Sequence, residues 1–177
     1  LSYFGRKNLV NVAKFDAAHG FNLRGDVLFG GFYVLELLSR LIAERQKEPE
    51  IFAGAVSALT AMEAGHELQA VLRCFELDLL GQLGYEVVFD QDAEEGRAIA
   101  PDVYYRYQAQ VGFTKVPQGR EIESDPTVVQ GRWLQCIWRR DFDQPQARRA
   151  AKYITRQALQ GLLGDKPLIS RKMLGSR

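Results

Sequence analysis

Three times between Asp26 and Tyr85 the apolar residues recur at helical spacing, and this repeated period constrains the fold more than any other feature of the chain. The first run, Asp26 to Glu44, has apolar residues at 28, 29, 32, 35, 38, 41 and 42. It is apolar around much of its circumference, so a central position is predicted. Pro49 ends that region. The second run, EIFAGAVSALTAMEAG, is predicted to face the core with Phe52, Val56, Leu59 and Met62 and to stop at Gly65. In the third, HELQAVLRCFELDLLGQLGY, Leu68, Val71, Leu72, Phe75, Leu79 and Leu83 form one stripe.

After Tyr85 the period is lost. Residues from about 85 to 118 are acidic, turn-rich and β-prone, which predicts a small insert with a hairpin near Tyr104–Tyr107 and Gly112–Val116. A short helix is predicted from about Thr127 to Arg140. Another follows to about Gly161, with Asp143 as its cap, Pro145 in its first turn and Gln146 completing a capping box. At the front, LSYFGRKNLVNVAKF alternates loosely about a Gly-Arg-Lys-Asn turn and predicts a β-hairpin with Val10 and Val12 in its second strand. Two strands alone are marginal in water, and Leu1 is not a Met, so the chain reads as lacking part of an N-terminal β domain. The expected architecture is mainly α: five or so helices, a small β insert and a hairpin remnant.

At 177 residues the chain can bury a real core. No window approaches the roughly 18–20 apolar residues of a membrane span. Cys74 and Cys136 are far apart in apolar helical runs and read as buried thiols of a reducing compartment; a metal site needs more ligands at closer spacing. The net charge of +1 hides an asymmetry, because residues 131–177 carry eleven Lys/Arg against three Asp/Glu. Such a basic end suits a polyanion or an acidic peptide, or neutralises the acidic remainder across an internal interface.

No Walker loop, G-x-S-x-G, H-E-x-x-H or dinucleotide glycine fingerprint is present. His19 and His66 sit at connections, where His66 either helps to cap the third helix or is solvated. Glu36 and Glu76 lie inside apolar runs. Structural ion pairing explains them better than acid–base chemistry, and Arg40, four residues after Glu36, is one available partner. On the helix before Gly161, Arg148, Lys152 and Arg156 fall within roughly 80° of one another with Arg149 close by, opposite an Ala- and Ile-lined face. This basic ridge is either a solvated face or a polyanion surface. Lys166, Arg171 and Lys172 extend it through a turn stiffened by Gly164 and Pro167 and anchored by Leu168 and Ile169. Arg73, between Leu72 and Cys74 and next to Phe75, either holds a carboxylate at the edge of an apolar groove or pairs with Glu76 or Glu36.

The segments GFYVLELLSRLI, LRCFELDLLGQLGY and ARRAAKYITRQALQGLLGDKPLISRKML, in this order and spacing, resemble the bacterial RecO family of recombination mediators. The Leu163-Gly164-Asp165-Lys166-Pro167-Leu168-Ile169-Ser170-Arg171 turn is the most characteristic. The resemblance implies an N-terminal OB-fold, of which residues 1–20 would be the end, and a helical domain over 21–177. It implies a cytoplasmic, nucleoid-associated, non-enzymatic protein of DNA repair. Its partners would be single- and double-stranded DNA, RecR and the acidic C-terminal tail of the single-stranded DNA-binding protein (SSB). Its work would be strand annealing and, with RecR, loading of RecA on SSB-coated DNA.

The Arg of the family's L-R-x-F-E-L motif matches Arg73, so Arg73, Leu72 and Phe75 are the expected SSB-tail site. Arg148, Arg149, Lys152, Arg156, Lys166, Arg171 and Lys172, with Arg6 and Lys7 on the hairpin tip, are the expected DNA contacts. In the alternative, the fragment is an SSB/RecR scaffold and the DNA is held mainly by the OB-fold. Many relatives carry four zinc-binding cysteines in the insert. This chain has none between Tyr85 and Val116, so no zinc and no cofactor are expected, and the insert is expected to rest on hydrogen bonds and on Val87, Phe89, Tyr105 and Phe113.

Overall fold

A computed structural model describes residues 2–4, 11–14, 20–43, 46–117, 125 and 127–174. Within them the order is β1 (Ser2–Phe4), β2 (Asn11–Lys14), α1 (Asp26–Leu41), α2 (Pro49–Glu63), α3 (Leu68–Gln82), β3 (Tyr104–Gln108), β4 (Gly112–Val116), β5 (Val128–Gln130), α4 (Gly131–Trp138), α5 (Pro145–Leu163) and α6 (Ile169–Leu174). The fold is mainly α, as the helical periods predict. β1 and β2 pair antiparallel, with Tyr3 opposite Val12. Val10, His19, Glu44 and the hairpin-tip residues Arg6 and Lys7 lie outside the described residues.

The helices stop and start for local reasons. Pro49 opens α2 at a position where its missing N–H costs nothing. Gly65, at φ 83°, reverses the chain after α2. The carboxylate of Glu67 caps α3, accepting the N–H of Gln69 at 3.1 Å and of Ala70 at 2.6 Å. His66 does not cap α3; its Nδ1 lies 3.0 Å from Ala61 O in the last turn of α2, so its contact is with the end of that helix. Asp143 does not cap α5 either. Gln144 is the boundary residue there and makes no side-chain cap bond.

Two apolar clusters make the core. The first joins α1, α2, α3 and the C-terminal half of α5, with Val34, Leu37, Leu80 and Leu159 fully buried. The second joins the sheet, α4 and the N-terminal half of α5 around Tyr105, Phe113, Leu134, Ile137 and Ile154, and takes Leu77 from α3. α3 and α5 therefore cross both clusters. The sheet order is β4-β3-β5. Residues 127–130 are thus not the first turn of a helix: Val128–Gln130 pairs antiparallel with β3, and α4 begins only at Gly131.

The packing faces of α1 and α2 also differ from the sequence expectation. In α2 the buried residues are Ile51, Ala55, Ala58, Leu59 and Met62, whereas Phe52 is 68% exposed. In α1 the core face runs through Gly30, Gly31, Tyr33, Val34 and Leu37, and Phe32 and Leu35 point outward. The glycines explain this choice. A Cβ at Gly30 would stand 2.6 Å from Leu68 Cδ1, and one at Gly31 2.7 Å from Leu23 Cδ1. Small residues let Leu68 of α3 and Leu23 of the preceding segment pack directly on α1, and the bulky ones are left outside.

The region after Tyr85 is half of the core rather than an appendage. Phe89, Tyr105 and Phe113 are buried there and Val87 is partly so, with the Phe89 and Phe113 ring centroids 5.4 Å apart. The turn 92–96 is organised by one buried carboxylate. Asp92 Oδ1 accepts the N–H of Glu94 at 3.2 Å and of Glu95 at 2.7 Å, and Lys115 Nζ lies 3.2 Å from Oδ2. Those bonds and charges hold the carboxyl of Asp92 below its usual range. Among the described residues no group of His, Cys, Asp and Glu is placed to hold a metal ion. Cys74 and Cys136 are free and half-buried.

Candidate functional site

Where α3 and α5 pass from one core cluster to the other, a single carboxylate is buried. Glu76 is 0% exposed and takes three donors. Tyr33 OH of α1 donates at 2.6 Å, Arg73 Nη2 at 2.7 Å, and the hydroxyl of Thr155 on α5 to the other oxygen. A charge taken out of water is tolerable when its lone pairs are met in this way. Burial first, and then the adjacent Glu76 charge, push the Tyr33 phenol far above its usual range. It is a donor at any physiological pH.

Arg73 is 3% exposed and spends only one nitrogen on Glu76. Its Nε and Nη1 are buried without a hydrogen-bond partner. Arg73 therefore carries donors beyond the one that Glu76 engages. Arg73 forms the floor of a shallow cleft of about 30 Å³, with Tyr33, Gln69, Leu72 and Leu174 and the cations Lys152, Arg156 and Arg171 around it. A space of that size admits small groups rather than a large ligand.

The cations crowd one another. Burial, and then the charges of Arg156 and Arg73, lower the pKa of Lys152; burial, and then Arg171 and Arg73, lower that of Arg156. Four positive charges face one carboxylate. An anion beside these cations would offset their mutual repulsion.

The sequence-predicted residues divide accordingly. Arg73 and Leu72 line the cleft, together with Lys152, Arg156 and Arg171 from the basic ridge and turn. Phe75 does not; it lines a separate cavity of about 780 Å³ with Ala58, Val71 and Phe142. Arg148 turns back on its own chain, donating to the carbonyls of Phe142 and Asp143, the latter at 3.0 Å. Arg149, Lys166 and Lys172 are exposed and lie outside the cleft.

Sequence reasoning missed Tyr33, Thr155, Gln69 and Leu174. The spacing of Arg73 and Glu76 shows that they share a helix face, but nothing in the sequence points to partners 43 and 79 residues away. Arg40 stays close enough to help hold the Glu36 carboxyl down by its charge, but the hydrogen bonds of the expected Glu36–Arg40 pair go elsewhere. Both side chains reach the turn after α5: Arg40 Nη2 donates to Leu163 O at 2.7 Å and Lys166 O at 3.0 Å, and Glu36 accepts from Ile169 N at 2.9 Å and Ser170 N at 2.8 Å.

Comparison with known proteins bears on this geometry. The family model for "Recombination protein O C terminal" matches residues 24–172. The chain is 38% identical over 174 residues to the DNA repair protein RecO of Pseudomonas aeruginosa strain LESB58, covering 98% of this chain and 72% of that one. It is 38% identical to that of Pseudomonas putida strain W619 (98% and 74% covered) and 37% identical to that of Actinobacillus succinogenes (98% and 71% covered).

Proposed function

Since the chain belongs to the RecO family of DNA repair proteins, we propose that it serves repair and recombination as a mediator that binds and exchanges partners rather than as a catalyst. The observation that carries this reading is the cleft over Arg73. Its cations converge on one small space beside the apolar Leu174. An acidic, apolar peptide end suits such a site. The partner is the C-terminal tail of SSB, its carboxylates on Lys152, Arg156 and Arg171 above Arg73 and its apolar groups against the rim. With the tail held, SSB loosens on its strand. The chain, with RecR, then promotes annealing of the freed DNA or loading of RecA.

DNA contact would fall to the remaining cations. Lys152, Arg156 and Arg171 line the cleft and Arg148 binds backbone carbonyls, so of the expected surface Arg149, Lys166 and Lys172 lie outside both arrangements. That division favours a second reading, in which this chain is chiefly a scaffold for SSB and RecR and the DNA is held mainly by an OB-fold.

Fluorescence anisotropy of a labelled SSB-tail peptide and of a labelled single strand, each titrated with the chain and with Arg73→Ala, tests both readings. The mutant is first checked for native circular dichroism. The mediator reading expects strand binding that falls steeply with salt and peptide binding at least tenfold weaker in the mutant, about 1.4 kcal/mol. Peptide binding without strand binding supports the scaffold. Peptide binding unchanged by the mutation overturns the tail site.

A further inference from the structure

The basic turn after α5 poses a physical problem. Arg171 stands among Arg73, Lys152 and Arg156, and like charges push it away. It lies in α6, a helix of six residues, too short to hold itself in water. Something outside α6 must keep Arg171 where it is.

That support comes from one ridge of α1. Tyr33, Glu36 and Arg40 follow each other at helical spacing and each meets the segment 163–171. Gly164, at φ 65°, turns the chain out of α5. Arg40 gathers the carbonyls of Leu163 and Lys166, at 2.7 and 3.0 Å. Leu168 is buried in the first core. Glu36 then meets the free N–H groups at the start of α6: Oε1 accepts Ile169 N at 2.9 Å, and Oε2 accepts Ser170 N at 2.8 Å and the Ser170 hydroxyl. The next residue is Arg171. Its guanidinium lies 5.8 Å from the Tyr33 ring centroid and 3.4 Å from the phenol oxygen, which itself donates to Glu76. The ridge therefore ties the position of Arg171 to the buried carboxylate beneath the cleft.

We propose that Glu36 is a positioning residue for the anion cleft: by capping α6 it sets Arg171 against the repulsion of its neighbours, with Arg40 holding the turn before it. This rests on the reading of the cleft as an acidic-tail site. It gives the rigid turn a purpose distinct from DNA binding. The turn delivers one cation to a fixed point, and Lys166 is only its outer corner.

A double-mutant cycle on the full chain tests the assignment, with the labelled tail peptide as probe. Arg171→Ala and Glu36→Ala are each expected to weaken binding about fivefold. Glu36→Ala is expected to add no more than about twofold on top of Arg171→Ala, because its effect runs through that side chain. A merely structural Glu36 would lower stability and weaken binding equally in both backgrounds, and that additivity overturns the proposal. So does a Glu36→Ala chain that binds like wild type while Arg73→Ala does not. If Arg73→Ala and Arg171→Ala both bind like wild type, the tail site itself fails, which is a separate outcome. Should Glu36→Ala not fold, Glu36→Gln, which keeps one acceptor oxygen, goes through the same cycle with the same criteria.

Discussion

Replacing Glu76 by Ala removes the group that joins α1, α3 and α5. The carboxylate is fully buried and takes donors from Arg73, Tyr33 and Thr155. Without it the Arg73 guanidinium, 3% exposed, is left charged and unpaired. Breaking one side of a buried pair costs about 3–5 kcal/mol. The two stranded hydroxyls add to this, but the four groups act as one network and their separate costs do not sum. A total near 4 kcal/mol is a large part of the roughly 5–15 kcal/mol that holds a domain together. For a chain of this size each kcal/mol moves the melting temperature by about 2–4 °C, so the midpoint should fall by about 8–16 °C. Thermal unfolding followed by circular dichroism reads this directly. Glu76→Gln, which keeps one carbonyl acceptor, should fall less. A drop below about 3 °C for Glu76→Ala would refute the reasoning, since the buried carboxylate would then carry little of the structure.

Three further outcomes are expected. Gly131→Ala should destabilise by about 1–3 kcal/mol or more in urea unfolding, because its Cβ would lie 2.0 Å from the backbone oxygen of Ala100; a near-neutral result would contradict the close passage of α4 past that loop. Asp92→Asn should lower the melting midpoint less than Asp92→Ala, since the amide keeps an oxygen for the N–H groups of Glu94 and Glu95; equal losses would give the role to the Lys115 charge alone. Acidification should release α6. Partial burial pushes the Glu36 pKa up, but the hydrogen bonds from Ser170 and Ile169 outweigh it and the carboxyl titrates below its usual 4.5. A depressed folded pKa means that the stabilisation is present above pH 4.5 and is lost as pH falls below it. Amide exchange of Ile169 and Ser170 should therefore accelerate below that value, and exchange independent of pH after correction for intrinsic rates would remove Glu36 as the cap.

The helices themselves were legible because a 3.6-residue period needs only the order of apolar residues. Their packing faces were not always so. Phe52 and Phe32 look like core by bulk, yet α1 and α2 turn glycine and alanine inward, since close approach rewards small side chains. β5 was hidden for another reason. Three residues, Val128–Gln130, carry no period, and their strand identity comes from β3, more than twenty residues earlier. At the site, the basic ridge and Arg73 were visible one by one, and the structure brings two of the ridge residues, Lys152 and Arg156, together with Arg73 around one cleft. Glu36 and Glu76 both stood out as carboxylates in apolar runs. Their actual partners come from distant segments of the chain, and only the fold brings them within reach.

The central claim is that Lys152, Arg156 and Arg171, above Arg73, form one anion site for an acidic tail. Arg156→Glu tests it most directly, because this side chain is exposed and its replacement leaves the buried Glu76 network intact. The measurement is the dissociation constant of the labelled SSB-tail peptide, by anisotropy at fixed salt, for the wild-type and Arg156→Glu chains. A carboxylate placed in the cleft should weaken binding at least tenfold, about 1.4 kcal/mol, with the melting temperature little changed. An unaltered dissociation constant would contradict the account and move the tail to another surface of the protein.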